Sequence, residues 1–171
     1  MLRHALQCLS LASIMAAGAA ARETDAHWIR GVYTGESPRA IQAIEPEAWR
    51  RAAEIADNLP GGFVLVGSGQ SMQPLYSPGT ILVLQQLPYS ELKRGQTALY
   101  RSKDHKIVAH VLVAKARDGW RVQGLNNRIH DMEPVQSENL VGVVVAAFKP
   151  LSRRLPVSLA ALGAPSRSPV N

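Results

Sequence analysis

The 171-residue chain contains a single cysteine, Cys8, which lies in its apolar N-terminal segment. We expect that segment to be removed on export, which would leave the folded protein without a thiol. Disulfide bonds, thiolate zinc sites and cysteine nucleophiles are therefore excluded from the mature domain. The sequence implies no metal and no organic cofactor.

Aromatic residues are also scarce, at 5% of the chain, and no basic run is interleaved with them. A nucleic-acid platform would need such a pattern, so the sequence does not indicate a nucleic-acid partner. The formal net charge is +6, with short clusters at Arg50-Arg51 and Arg153-Arg154. We interpret this charge as a solvated basic surface with some affinity for anionic membranes. The sequence does not indicate an oligomeric state.

Long hydrophobic runs are absent as well, since no segment reaches the ~20 apolar residues that a membrane-spanning helix needs. The N-terminus begins with Met1-Leu2-Arg3-His4, continues as an Ala- and Leu-rich run, and closes on Ala19-Ala20-Ala21. This is the layout of a secretory signal peptide. We expect residues 1–21 to be a signal peptide and the mature protein to be periplasmic or extracellular. An outward-facing membrane anchor and a buried N-terminal helix are the alternatives.

Residues 22–61 are interpreted as a linker followed by an amphipathic helix. The linker, 22–40, is rich in turn-forming residues and is expected to be irregular. The helix is predicted over Ala40–Asn58, because apolar residues there recur at helical spacing. Pro46 either divides this helix or occupies its first turn, where proline fits best.

Residues 62–149 change to the pattern of short strands separated by turns. The predicted strands are Phe63–Val66, Ile81–Leu84, Thr97–Arg101, Ile107–Lys115, Trp120–Gln123 and Leu140–Phe148. Such an alternation predicts a mainly β fold, a compact β domain preceded by one amphipathic helix. The remaining segment, 150–171, is rich in Pro, Ser and Arg and is expected to be a flexible tail.

The stretch Ser71-Met72-Gln73-Pro74 is the strongest candidate for chemistry. It follows the apolar strand Phe63–Val66 and the flexible lead-in Gly67-Ser68-Gly69-Gln70. A serine placed at the end of a strand by a glycine-containing turn is exposed enough to act as a nucleophile. Because a serine hydroxyl is a poor nucleophile at neutral pH, it needs a neighbouring base.

Several residues downstream could supply that base. His110 lies inside an apolar strand, so it is either a hydrogen-bonded core histidine or a base held by a rigid element. His105 is interpreted as a surface residue, and His130 as a surface residue or a spare base. The lysines at the ends of the strand, Lys106 and Lys115, are most simply its solvated termini.

Asp131 follows the turn-forming run Gly124-Leu125-Asn126-Asn127. If it lies near His110, its carboxylate would fix the tautomer of the ring and stabilise an imidazolium. The alternative is a turn residue that accepts backbone hydrogen bonds.

Together these motifs resemble the signal peptidase and LexA-like serine peptidase group. The serine of that group precedes a methionine in an SMxP box, as Ser71 does here. The group's base is a lysine in bacterial leader peptidases and LexA, and a histidine in the endoplasmic-reticulum and archaeal type. His110 and the run from Gly124 to Asp131 match the histidine type in order. The resemblance covers residues 62–148 and implies a compact β fold of the LexA and signal peptidase kind.

The resemblance also implies roles for the residues. Ser71 would be the nucleophile, His110 the general base and Asp131 the residue that orients it. Ser68 and Gly69 would lie beside the oxyanion. Met72 and Pro74 would shape the turn and the pocket wall, and the partner would be an extended polypeptide with small side chains at the cleavage point. The implied activity is a serine endopeptidase acting on exported proteins.

The chain departs from the group's pattern at five places. The group's two G-D steps are here Gly79-Thr80 and Gly95-Gln96. Leu125 replaces the aspartate of the G-D-N-N turn, and Val111 replaces the arginine that usually follows the base. Gly69 stands where many signal peptidases place a hydroxyl that binds the oxyanion.

Three alternatives stay open. The altered motifs are consistent with a peptide-binding module without turnover. A LexA-like self-cleaving regulator would require a cytoplasmic DNA-binding domain, which the signal-like N-terminal region does not resemble. A serine–lysine dyad that uses Lys106 or Lys115 is a variant of the peptidase interpretation.

Overall fold

The computed structural model describes residues 27–151, which form one helix and two β-sheets. The predicted signal peptide at 1–21 and Cys8 lie outside the described residues, as does the segment 152–171. The predicted fold class is confirmed, because the described residues are mainly β and pack one helix against a sheet of seven strands.

The elements are numbered here in chain order. A hairpin is formed by β1 (Trp28–Ile29) and β2 (Val32–Tyr33). The large sheet contains β3 (Ile41–Ile44), β4 (Gly62–Val66), β5 (Ile81–Gln85), β6 (Thr97–Arg101), β7 (Ile107–Ala116), β8 (Gly119–Gln123) and β9 (Leu140–Leu151). The helix α1 is Glu45–Asp57, and a short 3₁₀ turn covers Tyr89–Glu91.

The large sheet is organised around β9. Its main path runs β4-β5-β9-β6-β7-β8 with every neighbouring pair antiparallel, and β3 adds in parallel to the C-terminal part of β9. The apolar run Leu140–Phe148 of β9 follows from this position, because a strand with neighbours on both edges and covered faces takes mainly apolar side chains. Val143, Ala147 and Phe148 are fully buried.

The helix begins five residues later than the sequence predicted. Ile41–Ile44 is a strand that pairs with the end of β9, and Pro46 lies in the first turn of α1. The proline explains the boundary, since its ring would clash with a helical carbonyl four residues earlier, at Gln42. The backbone of residues 41–44 instead finds its partners on β9. The prediction of a helix from Ala40 was therefore wrong.

The linker prediction was also wrong in part. Residues 28–33 form the β1–β2 hairpin, in which Arg30 and Gly31 have φ values of 50° and 79°. Two central residues with positive φ are typical of the tight turn that suits the twist of a hairpin. The hairpin places Val32, only 3% exposed, in the main hydrophobic core.

The last strand extends beyond the predicted start of the tail. Pro150 lies within β9 opposite Ala43, and the strand ends at Leu151. Because β5 begins at Ile81, opposite Phe148, it does not reach Pro150, which has a neighbouring strand on one side only. Proline is tolerated at such positions, where its missing N–H leaves no gap in a ladder.

The face of α1 that packs on the sheet is made of alanines. Ala48, Ala52 and Ala56 are buried against Val83 and Phe148, which leaves little space between helix and sheet. The close approach explains why small residues occupy this face, because a larger side chain would force the helix away.

This packing predicts that the same substitution destabilises the protein at one position of α1 and has almost no effect at the next. Ala52→Leu should lower the free energy of unfolding by about 1–3 kcal/mol, because it overpacks a filled interface. Ala53→Leu should change it by less than about 0.5 kcal/mol, since Ala53 is exposed and leucine has nearly the same helix propensity. Urea unfolding of both variants measures the difference, and equal effects would contradict the packing described.

Candidate active site

Ser71 lies in the loop between β4 and β5. The base of this loop is closed by two backbone hydrogen bonds, from Gly67 N–H to the Thr80 carbonyl at 2.9 Å and from Gly79 N–H to the Gly67 carbonyl at 2.7 Å. Met72, next to the serine, is 4% exposed and packs into the main core. The loop therefore holds Ser71 half-buried at the end of β4 on a fixed turn.

His110 points from β7 toward this loop. The strand register places it opposite Ala98 of β6, and its side chain is buried. Its Nε2 atom lies 3.0 Å from Ser71 Oγ, and its Nδ1 atom lies 2.5 Å from Asp131 Oδ2. Both nitrogens of this buried ring therefore have hydrogen-bond partners. The ring bridges the serine to a carboxylate.

Asp131 is positioned by the loop that follows β8. Its own N–H donates to the Val122 carbonyl at 2.9 Å, which returns the loop to the strand. The same loop reaches the serine, because the Asn126 N–H donates to the Ser71 carbonyl at 2.7 Å. The structure thus brings together the three residues that the sequence singled out, and their catalytic roles stay a prediction.

Gly124 has a steric role that the sequence did not reveal. A Cβ atom at this position would lie 2.8 Å from His110 Nε2, the nitrogen that faces the serine. Real Cβ atoms do not approach other atoms so closely, so only glycine leaves the ring its space. The sequence did not indicate this requirement, because a glycine in the run Gly124-Leu125-Asn126-Asn127 is already explained by a turn.

The electrostatics around Asp131 define the protonation state of its carboxyl group. Burial raises the pKa of Asp131, but hydrogen bonds from His110 and Tyr100 outweigh this effect and hold the pKa below its usual value. The carboxylate is therefore ionised near neutral pH and only accepts hydrogen bonds. In a neutral ring, Nδ1 then carries the proton toward Asp131, and the lone pair of Nε2 faces the Ser71 hydroxyl.

Tyr100 is a site residue that sequence reasoning missed. Its hydroxyl donates to Asp131 Oδ2, the oxygen that His110 also contacts. The alternation of side chains along a strand could have indicated it. Residues 98 and 100 lie on the same face of β6, and Ala98 is paired with His110, so Tyr100 lies on the face of the sheet that carries His110. The phenol could not be matched to Asp131 because the path of the loop after β8 is not readable from a pattern.

The remaining candidate residues lie around this chain of hydrogen bonds. Ser68 and Gly69 are exposed and line a cleft beside Ser71, as does the buried Met72, whereas Pro74 is exposed and does not line that cleft. A Cβ atom at Gly69 would meet nothing within 4 Å, so its surroundings are open.

The alternative bases lie elsewhere. Lys106 and His105 are exposed at the turn before β7. Lys115 Nζ lies 5.9 Å from the centroid of the Tyr89 ring. His130 is exposed, and its ring contacts the backbone carbonyl of Asp131 at 3.0 Å. Only His110 among these residues is hydrogen-bonded to the Ser71 hydroxyl in the described part of the chain.

The cleft beside Ser71 has a volume of about 370 Å³. Its lining includes the end of β4, at Leu65 and Val66, and the start of β7, at residues 107–109. Leu99, which is fully buried, adds an apolar side chain to this lining. The arrangement suits an apolar or small side chain delivered next to the serine hydroxyl.

No family model, curated protein or solved structure matches this chain. Across residues 27–151, no helix is long and apolar enough to cross a membrane. The same residues contain no group of three or more His, Cys, Asp or Glu side chains arranged to hold a metal ion. The geometry of the site is therefore the structural basis for a functional proposal.

The lowered pKa of Asp131 predicts a pH-dependent contribution to stability. A depressed carboxylate pKa stabilises the fold above the unfolded-state pKa of about 3.9, and this stabilisation is lost as the pH falls through the folded-state value. The difference in unfolding free energy between wild type and Asp131→Asn should therefore shift against the wild type below about pH 4. Urea unfolding from pH 2 to 6 measures it, and a difference that is constant across this range would contradict the argument.

Proposed function

We propose that this protein is a serine endopeptidase that hydrolyses peptide bonds through an acyl-enzyme on Ser71. One observation carries the proposal: the continuous hydrogen-bonded chain from Ser71 Oγ through the His110 ring to Asp131. A nucleophile, a base and an orienting acid in this order are the arrangement that nucleophilic hydrolysis needs. The group's resemblance, seen in the sequence, supports the same reaction.

The reaction follows from the protonation states of the three residues. His110 Nε2 takes the proton of the Ser71 hydroxyl as the oxygen attacks the substrate carbonyl. The imidazolium that forms is stabilised by the ionised Asp131. His110 then gives the proton to the leaving amine, and a water molecule, activated by the same ring, releases the acyl group from Ser71.

The developing oxyanion would be bound mainly by backbone N–H groups. The Ser71 carbonyl is occupied by the Asn126 N–H, which fixes the orientation of the peptide at the nucleophile. We assign the N–H of Ser71 as the main oxyanion donor, with the Ser68 hydroxyl as a helper at the cleft. Because Gly69 offers no hydroxyl, this hole is sparse, and the loss of one donor slows other proteases by about 10²–10³.

The proposed substrate is an extended polypeptide. β4 is the edge of the large sheet, and β8 pairs with β7 only from Val111 onward. Among residues 27–151, the outer edge of β4 and the 107–110 part of β7 therefore have no strand partner on one side, and both segments contribute residues to the cleft. An extended chain can add to such an edge and place alternate side chains in the cleft.

We further propose that the substrates are exported proteins. The N-terminal pattern at 1–21 and the resemblance to signal peptidases support this placement. The formal net charge of +6 favours association with an anionic membrane surface, where preproteins emerge. N-terminal sequencing of the exported protein distinguishes a cleaved signal peptide from an anchor.

Loss of the nucleophile should abolish turnover. A fluorogenic peptide with alanines at positions −3 and −1 from the cleaved bond is the probe, and Ser71→Ala should reduce its cleavage by at least about 10³-fold. Ser90→Ala is the matched control, because Ser90 is exposed in the 3₁₀ turn, and it should cleave at the wild-type rate.

Binding of such peptides without turnover would instead support the peptide-binding module. Wild-type cleavage that persists in Ser71→Ala would overturn the proposed nucleophile.

The identity of the base makes a separate prediction. His110→Ala should reduce kcat by at least about 10²-fold, since general-base catalysis contributes 10²–10⁴. Lys106→Ala and Lys115→Ala should retain wild-type kcat within about twofold, because neither ammonium group contacts the serine. Loss of activity in a lysine variant together with an active His110→Ala would establish the serine–lysine dyad. Circular dichroism confirms that each variant is folded.

A further inference from the structure

We propose that Tyr100 is a positioning residue whose hydroxyl holds the Asp131 carboxylate in place for His110. The inference rests on the proposed function and adds a fourth member to the hydrogen-bonded chain. Tyr100 does not touch the reacting atoms, so its action is through Asp131.

The contacts at Asp131 carry this inference. The Tyr100 hydroxyl and His110 Nδ1 converge on the same carboxylate oxygen, Oδ2. The Tyr100 side chain is nearly fully buried, and its ring centroid lies 6.4 Å from that of His110. Two donors that meet at one oxygen define the orientation of the carboxylate more closely than the histidine alone.

The positions of the three residues in the fold explain why Asp131 needs a second hydrogen-bond donor besides His110. Asp131 belongs to a loop, and its backbone is fixed to Val122 by one hydrogen bond. Tyr100 belongs to β6, which pairs with both β7 and β9. Since His110 and Tyr100 lie on neighbouring strands of the sheet, the sheet supplies both donors and the loop supplies only the acceptor.

The charges around the carboxylate keep the phenol in its donor form. Burial raises the pKa of Tyr100, and the hydrogen bond to Asp131 and the charges of Asp131 and Glu133 raise it further. The phenol therefore stays protonated wherever the peptidase would work. The groups that lower the pKa of Asp131, against its burial, are His110, Tyr100 and, through its charge, His130.

The test compares two tyrosine-to-phenylalanine variants. Tyr100→Phe removes the hydroxyl at Asp131, and Tyr89→Phe removes a hydroxyl that donates to the Val135 carbonyl at 3.0 Å, away from the site. With the alanine-containing peptide as substrate, Tyr100→Phe should lower kcat about tenfold, as expected for the loss of a hydrogen bond to a charged group. KM should stay within about twofold, and Tyr89→Phe should leave both constants unchanged.

A second readout does not depend on activity. The carboxyl ¹³C resonance of Asp131, assigned with Asp131→Asn, gives the pKa of this residue by titration. This pKa should rise in Tyr100→Phe, because one of the hydrogen bonds that lower it is gone, and it should keep its wild-type value in Tyr89→Phe. A residue that only fills space would leave the Asp131 pKa unchanged, since phenylalanine keeps the ring.

The outcomes distinguish a failure of the proposed role of Tyr100 from a failure of the proposed peptidase function. An unchanged kcat in Tyr100→Phe, or an Asp131 pKa that does not rise, would overturn the role of Tyr100 while the peptidase proposal stands. If the wild type cleaves no peptide, the proposed function fails. The ¹³C titration still decides whether the phenol governs the carboxylate, and an unchanged pKa would overturn the inference in that case too.

Discussion

The hydrogen bond between His110 and Asp131 is the interaction on which the site depends. It joins a strand of the sheet to a loop, and it decides which ring nitrogen carries the proton. When Nδ1 donates to the carboxylate, Nε2 of a neutral ring is the hydrogen-bond acceptor that faces the Ser71 hydroxyl, as the proposed function requires. Were the carboxylate absent, the tautomer with its proton on Nε2 would compete, and that tautomer cannot act as a base toward the serine.

The architecture of the sheet holds the residues of this interaction in fixed positions. β6 and β7 fix His110 and Tyr100 on one face, while the turn after β4 is closed at its base by hydrogen bonds of Gly67. Gly124 leaves the space that the ring requires. The strands and the closed turn are held by backbone hydrogen bonds and Gly124 contributes by lacking a side chain, so the geometry of the site does not rely on the alignment of long flexible side chains.

The sequence predicted six of the seven strands of the large sheet, because runs of apolar and β-branched residues between turns are strong local signals. The pattern alone left His110 and Asp131 open between a structural and a chemical role, and only the order of the motifs in the resemblance singled them out. The strand Thr97–Arg101 has the predicted bounds, because a short run of apolar and β-branched residues between two turns favours a strand and not a helix. Ile41–Ile44 was misread because its isoleucines also fit a helical stripe, and only pairing with β9 selects the strand. Tyr100 was missed for a related reason: a tyrosine in a buried strand is ordinary until the loop bearing Asp131 is placed beside it.

The account is tested most directly by covalent labelling of the serine with a fluorophosphonate, followed by intact mass and peptide mapping. The account predicts a single adduct on Ser71, absent in Ser71→Ala and formed at least about a hundredfold more slowly in His110→Ala, because the base no longer activates the hydroxyl. An adduct on another residue, no adduct at all, or a labelling rate that is the same in wild type and His110→Ala would contradict it.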